Sequence, residues 1–181
     1  MSSIVPSRKI VAIAAAIASL AAIVAYQCFG IEYNTTPSMP MGYYFVNRLD
    51  RTPRRGQIVV LQPNAVAAAY VLRYHDEAGV DFVKIAAAVS GDTIAFTARG
   101  ARVDGRLIPH SAAISKLGNR ALPSLAFGRY HIARGEAWGW TPVWDSFDSR
   151  YYGPLVVEGI AVPIFTWDAP PQPRPTHLAY R

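Results

Sequence analysis

The chain has 181 residues, enough for one domain plus an N-terminal appendage, and about half of them are hydrophobic. Its formal charge of +6 comes from scattered arginines such as Arg48, Arg51, Arg54 and Arg55, with no zinc-finger or helix-turn-helix pattern, so no nucleic-acid partner is expected. A single cysteine, Cys28, excludes an intramolecular disulfide and a cysteine-based metal cluster; His75, His110, His131 and His177 lack metal-ligand spacing, so neither metal nor cofactor is expected.

Residues 10–31 carry no charge and form an Ala/Ile/Val/Leu run interrupted by few polar groups. About 20 such residues in a helix cross the hydrocarbon core of a bilayer. Arg8 and Lys9 precede the run and Glu32 follows it, which places the N-terminus in the cytoplasm and the remainder outside. The apolar core of a cleaved secretory signal usually spans only about 7–15 residues, so the length favours a retained anchor; a cleaved signal is the alternative. Tyr26-Gln27 before Cys28 are not the small residues expected at a lipid-attachment cysteine. The mild positive charge also suits contact with anionic lipid headgroups.

Thr36-Pro37-Ser38-Met39-Pro40-Met41-Gly42 then holds a serine in a proline-rich bend just outside the membrane. Residues 43–46 and 57–61 are predicted strands, separated by a turn at 51–56. Asn64 is positioned to cap a short Ala-rich helix reaching about Tyr74. Extended structure is predicted over 80–89, closed by a Ser90-Gly91-Asp92 turn, and over 93–97 and 101–108, with Asp104-Gly105 as a hairpin signal. Residues 111–128 lack periodicity and are predicted as an insertion or loop, after which strands resume at 128–133, 137–140 and 155–166. Four prolines after Asp168 disfavour helix and sheet alike, so residues 168–181 are expected to be disordered or extended. Many short strands around glycine turns predict a mainly β domain.

Three segments carry the chemistry: the Ser38 bend, Lys84 on a predicted strand ahead of the Gly91-Asp92 turn, and Ser146-Phe147-Asp148-Ser149-Arg150 near the end. In this order, behind a membrane segment, they resemble the type I signal (leader) peptidase family, whose enzymes use a serine–lysine dyad. The Pro37-Ser38-Met39-Pro40-Met41-Gly42-Tyr43 stretch is most similar to the TraF-type conjugative-transfer peptidases, in which proline directly follows the Ser-Met pair. Housekeeping leader peptidases carry Gly-Asp-Asn before the late box, where this chain has Trp138-Gly139-Trp140-Thr141-Pro142. The resemblance implies a signal-peptidase-like β domain over 32–167, an anchor or signal over 10–31, a cytoplasmic stretch over 1–9 and a tail over 168–181. It implies a location in a bacterial inner membrane with the catalytic domain in the periplasm, or in the periplasm alone if residues 1–31 are cleaved.

Serine hydroxyl becomes nucleophilic only when a base takes its proton. Lysine serves as that base only when neutral, and burial among apolar groups lowers its pKa by desolvating the ammonium. Phe82, Val83, Ile85 and Val89 are suitable neighbours, and the nearest acid along the chain is Asp81. The resemblance assigns Ser38 as nucleophile, Lys84 as base, Thr36 with the Ser38 amide as oxyanion donors, and Ser146 as the hydroxyl orienting Lys84. Asp148 and Arg150 match a supporting pair, for which a purely structural role is equally open. A glycosidase or aspartic-protease pairing of Asp145 with Asp148 lacks any second acid motif. By the same resemblance, Ala86, Ala87 and Ala88 line the cleft and leave room for small residues of an extended substrate, which is a prepilin or another preprotein. The acyl-enzyme is resolved either by water or by the pilin's own amine. The rival of another class is a non-catalytic, membrane-tethered assembly factor; a general leader peptidase is the rival within the family.

Overall fold

The computed structural model of the chain describes residues 7–75 and 79–168. The hydroxyl oxygen of Ser7 accepts the Ile10 amide and caps α1 (Arg8–Cys28). These 21 residues span about 32 Å at 1.5 Å each, the thickness of a hydrocarbon core, and none is buried against protein. The helix stops three residues short of the predicted boundary at Ile31: Phe29, Gly30 and Ile31 begin a strand instead. The apolar run itself gives no warning, because an aromatic strand face and a lipid-facing helix have the same hydropathy. What ends the helix is pairing: Phe29 lies opposite Asn47 and stacks on Phe45 at 5.6 Å.

The order then runs β1 (Phe29–Asn34), β2 (Gly42–Asn47), β3 (Ile58–Gln62), α2 (Ala65–His75), β4 (Phe82–Val89), β5 (Thr93–Thr97), β6 (Gly100–Val103) and β7 (Arg106–Leu107). It continues with β8 (Lys116–Leu117), β9 (Arg120–Ala121), β10 (Gly128–His131), β11 (Glu136–Trp140), α3 (Ser149–Tyr152) and β12 (Leu155–Thr166). The mainly β expectation holds, and the predicted strands appear within a few residues of their bounds. The 111–128 segment contains the small β8–β9 hairpin, which its lack of periodicity conceals. Asp104 and Gly105 both have positive φ, 50° and 74°, as the predicted hairpin turn requires. The expected tail lies outside the described residues except for Asp168.

Six strands form one antiparallel sheet in the order β1-β2-β12-β11-β4-β3, and β12 pairs with β3 as well. The ring β12-β11-β4-β3 therefore closes on itself, while β12 runs on past it to pair with β2. This long strand joins the half that carries Ser38 to the half that carries Lys84. A second sheet, β10-β5-β6-β7, packs on Trp138 around Ile94, Phe96, Ile108 and Ile132. The opposite faces of β3 and β4 serve two further clusters: Val60 and Val83 join Met39, Tyr44 and Val46, whereas Val59 and Leu61 join Ala86, Tyr151, Tyr152 and Val157. Asn64 accepts the Ala67 amide and caps α2 as predicted, while its own amide donates to the Tyr152 carbonyl and ties α2 to α3.

Candidate active site

Ser38 sits on the loop between β1 and β2, where Pro37 and Pro40 limit the backbone. The loop is held from several sides. Met39 is buried in the cluster around Tyr44, and the Tyr44 hydroxyl donates to the Pro40 carbonyl at 2.6 Å. The Met41 amide donates to the Asp168 carboxylate at 2.5 Å, and the Trp167 amide donates to the Met41 carbonyl. Gly42 begins β2 at φ 148°, and a Cβ there would stand 2.1 Å from the Phe165 carbonyl oxygen, so only glycine allows β12 this close. Asn34, a residue that motif reading passes over, lies at the base of the loop with its carboxamide among loop carbonyls. The available signal was an Asx turn: an asparagine just ahead of Thr-Thr-Pro, whose Oδ1 accepts the Thr36 amide.

Lys84 points from β4 onto the same face as Val59, its partner on β3, and Phe82. Its ammonium nitrogen lies 2.9 Å from Ser38 Oγ and 3.3 Å from Ser146 Oγ. The residue is 5 % exposed, and burial pulls its pKa from 10.5 down to about 8. The apolar cage differs from the expected one. Val83 and Ile85 alternate to the opposite face, and Val89 packs into the core farther along. Phe82 remains, with its ring centroid 6.0 Å from the amine. Leu61 and Gly139 supply the rest: a Cβ on Gly139 would lie 2.4 Å from Leu61 Cδ1 and 3.1 Å from Lys84 Cβ.

An acid remote along the chain also acts on Lys84. Asp148, distant in sequence, opposes the effect of burial on Lys84, and Arg150 counters Asp148. The two form a fully buried bidentate ion pair, Nε to Oδ1 at 2.8 Å and Nη2 to Oδ2 at 2.9 Å. The Asp148 carboxylate also caps α3 by accepting the Arg150 amide. The guanidinium donates further to the carbonyls of His110, Val143, Trp144 and Ser146. The Ser146 backbone, and with it the hydroxyl that meets Lys84, is therefore fixed by Arg150.

Thr36 Oγ1 lies 3.2 Å from Ser38 Oγ, so Ser38, Lys84, Thr36 and Ser146 are brought together, with Asp148 and Arg150 behind them. They border a cleft of about 300 Å³ whose walls include Glu32, Asp81, Phe82, Tyr70 and Phe147. Ala86, Ala87 and Ala88 do not line it, contrary to expectation: Ala86 and Ala88 are fully buried in two core clusters, and Ala87 packs, half-buried, against the second of them. The stretch of β4 that borders the cleft is the one before Ala86, where β11 no longer pairs with it: the last register pair is Trp140 with Ile85. Among the described residues no cluster of His, Cys, Asp or Glu has the makings of a metal site.

The family model "Signal peptidase, peptidase S26" matches residues 4–164. Plasmid transfer protein TraF of Escherichia coli is 33 % identical over 172 residues, covering 88 % of this chain and 96 % of that protein. A probable conjugal transfer protein TraF of Sinorhizobium fredii is 28 % identical, covering 72 % and 73 %. The conjugal transfer protein TraF of Agrobacterium tumefaciens is likewise 28 % identical, covering 76 % and 84 %.

Proposed function

The chain belongs to the signal peptidase S26 family, and on that premise we propose that it is a membrane-anchored serine endopeptidase that matures the precursor of a conjugative pilus subunit. The observation that carries the reading is the 2.9 Å approach of the Lys84 amine to Ser38 Oγ in a site that depresses the lysine pKa to about 8. A useful fraction of that amine is neutral near physiological pH and can accept the serine proton.

In this mechanism Ser38 Oγ attacks the scissile carbonyl carbon as its proton passes to Lys84 Nζ. The Ser38 amide and the Thr36 hydroxyl hold the oxyanion. The Lys84 ammonium then protonates the leaving amine, and the acyl group remains on Ser38. Water, or the α-amine of the pilin itself, attacks the ester carbonyl as Lys84 again takes the proton; the bond to Ser38 Oγ then breaks, Lys84 returns that proton to the serine oxygen, and a free acid or a cyclic amide leaves. Substrate enters extended along the open edge of β4 ahead of Ile85, opposite the Ser38 loop.

The N-terminus lies in the cytoplasm and the β domain on the outer face of the inner membrane, in keeping with Arg8 and Lys9 before the apolar helix. The exposed aromatic face of β1, β2 and the end of β12, with Phe29, Tyr33, Tyr43, Phe165 and Trp167, continues directly from α1 and suits the headgroup region. Ser38→Ala and Lys84→Ala are expected to abolish precursor processing in cells carrying the transfer genes. Unchanged processing in both would leave the assembly-factor reading instead. Mass spectrometry of the product separates the two outcomes, because a ring lacks the added water.

A further inference from the structure

We propose that Asn34 is a positioning residue of catalysis: its carboxamide presets the Thr36 hydroxyl and the Ser38 backbone for stabilisation of the oxyanion. The inference rests on the peptidase reading above and extends it to a residue outside the motif boxes.

Asn34 is the last residue of β1, pairs with Gly42 at the start of β2, and so closes the base of the serine loop. It is 8 % exposed and borders the cleft. A carboxamide has one donor end and one acceptor end. Here the Nδ2 end faces three carbonyl oxygens, those of Thr36 at 2.9 Å, Met39 at 3.0 Å and Pro40 at 3.1 Å. The Oδ1 end faces two donors, the Thr36 amide at 3.4 Å and the Thr36 hydroxyl at 3.2 Å. Flipping the amide would set nitrogen against the Thr36 N–H and oxygen against the carbonyls, so the partners themselves decide its orientation.

The consequence concerns a single proton. Thr36 Oγ1 lies 3.2 Å from Asn34 Oδ1 and 3.2 Å from Ser38 Oγ. Oδ1 only accepts, so at rest it holds the Thr36 proton and with it the rotamer of the hydroxyl. When negative charge develops on the substrate oxygen, a charged acceptor outcompetes a neutral amide and the proton turns toward it. The hydroxyl is thus aimed beforehand without being locked. On the other side, Nδ2 grips the loop before and after Ser38, and this fixes the Ser38 amide that serves as the second donor.

The test uses the full-length protein in phospholipid vesicles and a synthetic quenched-fluorescence peptide with Ala-Xaa-Ala before the cut. Asn34→Ala is expected to lower kcat on the order of 10-fold, less than the loss of an oxyanion donor itself, with KM little changed and a thermal midpoint lowered by the lost loop bonds but still well above the assay temperature. Combined with Thr36→Val, the loss should fall well short of the product of the two single losses, because both remove one device. Asn34→Asp keeps the size and an acceptor but loses the donor end and brings negative charge toward the oxyanion. It should lower kcat and move the acidic limb of the pH profile upward, as an added carboxylate favours the Lys84 ammonium. Wild-type kcat in Asn34→Ala, a loss carried by KM or by unfolding at the assay temperature, or a fully multiplicative effect with Thr36→Val would overturn the assignment. Failure of the unaltered protein to cut more than Ser38→Ala would instead overturn the peptidase reading itself.

Discussion

Replacing Lys84 by methionine should make the protein inert and more stable at once. The lysine pKa falls from 10.5 in water to about 8 in the fold, a difference worth about 3 kcal/mol between charged and neutral forms. Below pH 8 the amine is protonated in both folded and unfolded states, so the fold bears the whole penalty of a desolvated ammonium. Between pH 8 and 10.5 the unfolded chain holds the proton and the fold does not, so stability rises with pH. Above 10.5 the penalty is gone. Methionine fills a similar volume without it but forfeits bonds to Ser38 and Ser146, each worth about 1 kcal/mol or less. The net expectation at pH 7 is a gain of about 1–2 kcal/mol, shrinking toward zero or reversing by pH 10.5. Urea unfolding of the detergent-solubilised protein at a series of pH values measures this difference, and the unaltered protein's kcat/KM should rise with pH through about 8. A variant less stable at pH 7, or a difference independent of pH, would refute a desolvated lysine at this position.

Arg150→Gln should cost about 3–5 kcal/mol, because it strands the Asp148 carboxylate in the interior. In whatever folds, the kcat/KM limb should move to higher pH as Asp148 acts unopposed on Lys84; the paired Asp148→Leu, Arg150→Met change should recover part of the stability but not the activity. Gly139→Ala drives a methyl into Leu61 and the Lys84 stem, so overpacking of about 1–3 kcal/mol should appear with a kcat loss out of proportion to any change in KM. Ser146→Ala leaves the fold intact by thermal unfolding but frees the lysine rotor, and kcat should fall by about 10-fold or more.

That Ser38, Lys84, Thr36 and Ser146 belong together was legible through the family resemblance, whose motif segments occur in this chain in the same order, and the structure brings the four side chains within hydrogen-bond reach of one another. The surroundings that tune them were less visible, for identifiable reasons. The cage of Lys84 was assigned to chain neighbours, whereas strand alternation turns Val83 and Ile85 away and brings Leu61 and Gly139 from β3 and β11. A glycine that matters for what it lacks leaves no hydrophobic mark. Asp148 stands far from Lys84 in sequence and reaches it only through the closure of the ring of strands. Asn34 works on backbone carbonyls, which every sequence provides. The alanines after Lys84 were misplaced for the opposite reason: their small size fits a substrate groove and a tight core equally well, and pairing with β11 selects the core.

An acid within electrostatic reach of a lysine ought to hold its proton on, yet this site keeps Asp148 and still has Lys84 near 8. Desolvation is the largest influence, and Arg150 removes much of the remaining conflict by taking both carboxylate oxygens. The same guanidinium gathers the carbonyls of Val143, Trp144 and Ser146, so the group that screens the acid also places the serine that meets the lysine. An isolated carboxylate would spoil the base, and an isolated guanidinium would be another buried charge. As a pair they oppose each other's effect on Lys84 and hold the Ser146 backbone from the interior, whereas the loop bearing Ser38 follows β1. Ser38 comes from that strand's loop and Lys84 from the closed ring, so the dyad distance depends on β12 joining the two. Perturbing the far half of β12 should therefore loosen Ser38 through Met41 and Gly42 while leaving the Lys84 environment as it is.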